Sequence, residues 1–102
     1  MSDLKHIETS QATLYFQEIR TSDSPVILWL HGFCEDHQIF SELIPEIQIP
    51  ARHILPDLPG YGKSIPETDF DFSMQAFAQN EHEMLEALNI QQVHCIGHSM
   101  GG

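Results

Sequence analysis

The sequence predicts an α/β fold, a mostly parallel sheet with flanking helices, and three observations carry that prediction. Val26-Ile27-Leu28-Trp29-Leu30 is five consecutive apolar residues. An unbroken run without alternation suits a strand covered on both faces, as in a parallel sheet. Further on, Met74, Phe77, Ala78, Met84, Leu85 and Leu88 recur at spacings of three, four or seven, the period of a helix with one apolar face. A second short run, Val93-His94-Cys95-Ile96, follows that helix. Strand, helix, strand in this order implies βαβ units with right-handed crossovers.

The elements follow in order. Residues 14–19 read as an early strand, preceded by a shorter one near 5–8. Thr21-Ser22-Asp23-Ser24-Pro25 is a turn cluster. After the strand at 26–30, His31-Gly32-Phe33 is a loop, and a short helix over 38–44 ends before Pro45. Residues 53–58 form another strand, although Pro56 within it has no N–H to give a ladder. Residues 59–64 are a Gly-rich turn. Ser73 is placed to cap a helix over 74–88, with Gln79, Asn80, Glu83 and Glu86 on its wet side. Asn89 is suited to close it in the left-handed conformation. In the last strand, 93–96, Cys95 is expected to pack as a small hydrophobe.

Bulk properties exclude several classes. The 102 residues suffice for one small domain but not two. Apolar residues make up 41%, too many for a disordered chain. The formal net charge is −11, from 15 acidic and 4 basic residues. Without a Lys/Arg cluster there is nothing to neutralise a phosphate backbone, so nucleic acid is not an expected partner. No run reaches the roughly 18 apolar residues of a membrane span, and the first residues lack the apolar stretch of a secretory signal. Cys34 and Cys95 therefore read as reduced thiols of a cytoplasmic protein.

Three motifs carry chemistry. Gly97-His98-Ser99-Met100-Gly101 fits G-x-S-x-G directly after a strand. A sharp strand-to-helix turn would lift the Ser99 hydroxyl clear of the sheet, and positions 97 and 101 approach too closely for a Cβ. The Met100 N–H would then lie at a helix N-terminus, free to donate to an oxyanion. His31-Gly32-Phe33 follows the apolar strand, and the Phe33 N–H is the best second donor. The third motif is Asp57-Leu58-Pro59-Gly60-Tyr61-Gly62-Lys63-Ser64. Its Gly-Lys-Ser invites a phosphate-loop reading. That reading fails, because the loop has Asp57 where the motif needs glycine, and Pro59 has no N–H to offer.

In this order the three motifs resemble the α/β-hydrolase superfamily, over about residues 26–102. The resemblance implies a single α/β-hydrolase domain whose N-terminal part, first half of the sheet included, is residues 1–102. It implies Ser99 as nucleophile and the N–H groups of Phe33 and Met100 as oxyanion hole. The acid and histidine of the triad would follow the nucleophile in the chain, beyond Gly102. The reaction implied is acyl transfer to water, with a small carboxylic ester as first substrate and no metal or organic cofactor. Thioester, amide and carbon–carbon cleavage also occur within the resemblance, whereas Ser99 speaks against the dehalogenase and epoxide-hydrolase branches, which use Asp. The alternatives are a binding member without turnover, and an inactive fragment that associates through an open sheet edge.

Other residues receive blander readings. His98 adjoins Ser99 and points away from it. His31 supports the oxyanion loop through hydrogen bonds, and Asp57 stabilises its own loop, since a triad acid would follow the nucleophile. Cys34 lines the pocket without acting as a second nucleophile. His82 and Glu86 share a helix face, but two groups do not make a metal site. His6, His37, His53 and His94 are surface or core residues.

Overall fold

The computed structural model describes residues 4–32 and 35–98. Phe33, Cys34, Ser99 and Met100 lie outside the described residues. Among the described residues, six strands form one sheet: β1 (Leu4–Glu8), β2 (Ala12–Arg20), β3 (Val26–Leu30), β4 (Arg52–Pro56), β5 (Ile65–Pro66) and β6 (His94–Gly97). The order is β1-β2-β4-β3-β6, with β5 attached to β2. β2 runs antiparallel to β1, β4 and β5, and β3 runs parallel to β4 and β6. Five strands therefore point one way and β2 alone is reversed. The mostly parallel α/β sheet with flanking helices is the α/β-hydrolase arrangement expected. The two-residue β5 was not expected, and it makes the strand that precedes Ser99 the sixth in the chain.

Alternation along β3 and β4 divides the core into two layers. Ile27, Trp29 and Leu55 pack with Phe40, Ile44 and Ala51 on one face. Leu28 and Ile54 pack with Leu14, Phe16 and Met84 on the other. The first layer is roofed by α1 (Gln38–Ser41) and α2 (Ile44–Ile47), the second by α3 (Met74–Ala87). Trp29 Nε1 donates to His53 Nδ1 at 3.0 Å, which leaves Nε2–H of His53 to reach Ile49 O at 3.0 Å. A buried imidazole is thereby satisfied at both nitrogens.

Where α1 and α2 stand, the sequence predicted one helix ending before Pro45. Instead, Pro45 lies in the first turn of α2, directly after its first residue Ile44. A first-turn residue needs no N–H partner, and proline's fixed φ suits that position. Gln48, at φ 53°, closes α2 in the left-handed region.

Both ends of α3 are as expected. Ser73 Oγ accepts from Ala76 N at 3.0 Å. Asn89 has φ 59°, and the bonds Asn89 N to Glu86 O (3.0 Å) and Ile90 N to Leu85 O (2.9 Å) form a complete Schellman closure. The faces differ from expectation. Asn80 is buried instead of wet, and Met74 is 53% exposed. Phe77, Asn80, Glu81 and Met84 are three or four apart, so helical geometry turns the two polar residues inward with the apolar ones. Thr9 Oγ1 donates to Asn80 Oδ1 at 2.5 Å, and Asn80 Nδ2 donates to Glu81 Oε2 at 3.0 Å.

Glu18, only 8% exposed at its side chain, joins three strands through Lys5 (2.9 Å), Arg20 (2.9 Å) and Arg52 (2.6 Å). Burial pushes its carboxyl up. Hydrogen bonds and charge from Lys5 and Arg52 outweigh that and hold it at about 2.

Among the described residues β6 is an edge strand, and all four of its residues are exposed. Cys95 is an exposed free thiol rather than a packed one. Beside it a cavity of about 630 Å³ opens between α3 and the sheet, bordered by Leu28, Leu30, Phe77, Glu81, Leu85 and Cys95. Among the described residues, no helix is long and apolar enough to cross a membrane.

Candidate active site

Because β4, β3 and β6 are neighbours and parallel, the loops that follow them emerge at one edge of the sheet. Crevices at the carboxyl ends of such strands are where open α/β sheets hold ligands. The three motifs are these three loops. His31-Gly32 follows β3, Asp57 to Ser64 follows β4, and His98 follows β6. The His98 N–H donates to Leu30 O at 3.0 Å, so the β3–β6 ladder continues to the residue before Ser99. The three residues assigned to catalysis in the sequence, Ser99, Phe33 and Met100, lie outside the described residues. What is described is the frame immediately around them.

His31 is fully buried. Its Nε2 accepts the Leu58 N–H at 2.9 Å, so the proton sits on Nδ1 and is donated to Gly32 O at 2.8 Å. One imidazole thus joins the β3 loop to the β4 loop, the supporting part foreseen for it. The Tyr61 ring lies edge-on to it, with centroids 5.5 Å apart.

Asp57 is also fully buried. Its Oδ1 accepts from His37 N (2.8 Å) and from His37 Nδ1 (2.7 Å), and its Oδ2 accepts from Lys63 N (3.1 Å). Ser64 Oγ donates to Asp57 O at 2.6 Å and accepts from Tyr15 N at 2.8 Å. The turn is therefore wound around its own carboxylate and fastened to β2. Gly62 is required there: its φ is +53°, and a Cβ would strike the Asp57 carboxyl. The Lys63 N–H, which a phosphate loop would offer to an anion, is spent on this carboxylate.

Asp36, His37 and Asp57 are three ligand-type side chains with donor atoms within 4.8 Å of one another. Their geometry is that of a hydrogen-bonded knot, since the His37 ring nitrogen nearest Asp57 is its hydrogen-bond partner. His82 and Glu86 meet at 3.3 Å on the exposed face of α3.

Sequence reasoning missed Glu35. Its Oε1 accepts the Gly32 N–H at 2.6 Å and faces His98 Nδ1 at 3.1 Å. The Glu35 N–H in turn donates to Gly32 O at 3.2 Å. His98 foremost, then the Gly32 N–H, hold this carboxyl below the usual carboxylate range. A carboxylate three residues past the His-Gly pair was the available signal. It stands in Cys34-Glu35-Asp36-His37, a stretch that resembles a catalytic cluster on paper and was weighed only for a second nucleophile at Cys34.

A sequence model of the alpha/beta hydrolase fold matches residues 25–102. The chain belongs to the α/β-hydrolase family. This α/β-hydrolase is 36% identical over 81 residues to the magnesium-chelatase 30 kDa subunit of Rhodobacter capsulatus, covering 79% of the chain and 28% of that relative. It superposes on a candidate epoxide hydrolase of Pseudomonas aeruginosa with a TM-score of 0.88 and 29% identity, over 98% of this chain and 33% of that one. It also superposes on a variant of the N-acyl homoserine lactonase AidH in complex with N-hexanoyl homoserine, with a TM-score of 0.87 and 30% identity, over 99% and 38%. The α/β-hydrolase chain thus spans about a third of the length of the proteins it matches.

Proposed function

We propose that the protein is a serine hydrolase of the acyl-transfer type, acting on a small carboxylic ester, with residues 1–102 as the N-terminal part of its single catalytic domain. The observation that carries this reading is the convergence of three motif loops at one sheet edge, with Gly97 and His98, the first two residues of G-x-S-x-G, continuing the β3–β6 ladder. Ser99 attacks the substrate carbonyl, and the Phe33 and Met100 N–H groups receive the negative charge of the tetrahedral intermediate. An acid and a histidine following in the chain complete the machinery. The described histidines at this edge are already engaged: His31 at both nitrogens, His37 with Asp57 and His98 with Glu35. The 102 residues alone are therefore a poor esterase. The relative named as a lactonase supports an ester, because a lactone is a cyclic ester. The resemblance to a candidate epoxide hydrolase does not move the reading, because that branch uses Asp where this chain has Ser99. The setting we assign is the cytoplasm, with no nucleic-acid partner.

A fluorophosphonate probe tests the nucleophile. The full-length protein is expected to be labelled at Ser99 and its Ser99→Ala variant not. With p-nitrophenyl acetate, the 102-residue chain is expected to match its own Ser99→Ala variant. A folded full-length protein that resists the probe would overturn the hydrolase reading. It would favour a second one, a binding member without turnover.

A further inference from the structure

We infer that Glu35 is a positioning residue for the oxyanion hole, a reading that rests on the proposed hydrolase function. One carboxylate oxygen serves both walls of the site. Glu35 Oε1 takes the Gly32 N–H at 2.6 Å from the loop after β3, and the His98 ring at 3.1 Å from the end of β6. Gly32 directly precedes Phe33, and His98 directly precedes Ser99. The return bond from Glu35 N to Gly32 O, at 3.2 Å, joins the same two residues a second time. The two segments that must supply donor and nucleophile are thus tied to one atom.

The bonds are unequal. A bond of 2.6 Å from a backbone N–H to a carboxylate is charge-assisted and short. His98 is 60% exposed at its side chain, so its ion pair alone adds little stability. What the pair contributes is alignment of the β6 end with the β3 loop. An oxyanion hole is sensitive to this kind of alignment. Loss of a donor costs on the order of 10²–10³ in turnover, and a misplacement of about 1 Å can cost on the order of 100-fold.

The test uses the full-length protein and two variants, Glu35→Ala and Glu35→Gln. Two quantities are read: the fluorophosphonate inactivation rate, resolved into probe binding and the bond-forming step, and the backbone amide resonance of Gly32. For E35A, bond formation is expected to slow about 10- to 100-fold, with probe binding changed less than about twofold. The Gly32 amide proton is expected to move upfield as it loses a charged acceptor. E35Q keeps an acceptor oxygen without the charge and is expected to recover most of the rate. Equal rates in wild type and E35A, or an unmoved Gly32 resonance in a folded E35A, would overturn the assignment. Unlabelled wild type would overturn the hydrolase reading instead, and the Gly32 resonance would still decide whether Glu35 holds the loop.

Discussion

Glu81 shows how far one side chain can depart from what its letter suggests. It faces the sheet from α3 with only 6% of its surface exposed, and its Oε1 has no hydrogen-bond partner. Desolvation pushes its carboxyl from 4.5 up to about 8, against one opposing bond from Asn80. The folded protein therefore keeps a proton that the unfolded chain gives up. Between those two values the native state binds more protons, so stability falls as pH rises from about 4.5 to about 8. Glu81→Gln is expected to flatten that fall. Urea midpoints at about pH 5 and about pH 8 measure it, and an unchanged slope in E81Q would refute the assignment. The sequence reading left Glu81 unassigned, put Asn80 on the wet side, and turned inward a Met74 that is 53% exposed. Periodicity marks which positions turn inward, and a carboxylate at such a position is misassigned whenever identity is read before geometry. Asn80, a polar residue at such a position, was misread in this way.

At the scale of elements, the turn after β4 is built from the inside out. Gly62 lies against Asp57, and Asp57 gathers the His37 and Lys63 N–H groups. Gly62→Ala forces a Cβ into the carboxylate at a positive φ, which costs about 1–3 kcal/mol from the backbone alone. Asp57→Ala strands buried donors at a cost of about 2–4 kcal/mol. The double variant is expected to lose less than the sum, because the new methyl enters the space the carboxylate leaves. Strict additivity in equilibrium unfolding would contradict the contact. Elements with strong local signals were legible in the sequence: the apolar run of β3, and α3 between Ser73 and Asn89. Pro45 was not, because proline both ends one helix and starts the next, and only the tertiary position of Ile44 against Trp29 decides between them. β5 is two residues long and exists through its pairing with Ala12 and Thr13, a long-range contact that no local pattern encodes.

For the molecule as a whole, fold and site had different legibility. Three motifs in sequence order sufficed for the family, because parallel strands must deliver their following loops to the same edge. The hydrogen bonds that join those loops were largely hidden. His31 to Leu58, His37 to Asp57 and Glu35 to His98 connect residues 20 to 63 positions apart. The exposed β6 edge has a colloidal consequence. An unpaired strand flank carrying the 39%-exposed Ile96 is a template onto which another copy can add a strand. Each copy of this 102-residue chain carries a formal charge of −11, so mutual repulsion keeps the templates apart at low ionic strength. Acidification toward the isoelectric point near 4.7 removes that repulsion, and added salt screens it. Light scattering of the 102-residue chain is expected to rise under either condition. A β6 Ile96→Lys variant is expected to suppress the rise, and equal scattering from both proteins would place the association elsewhere.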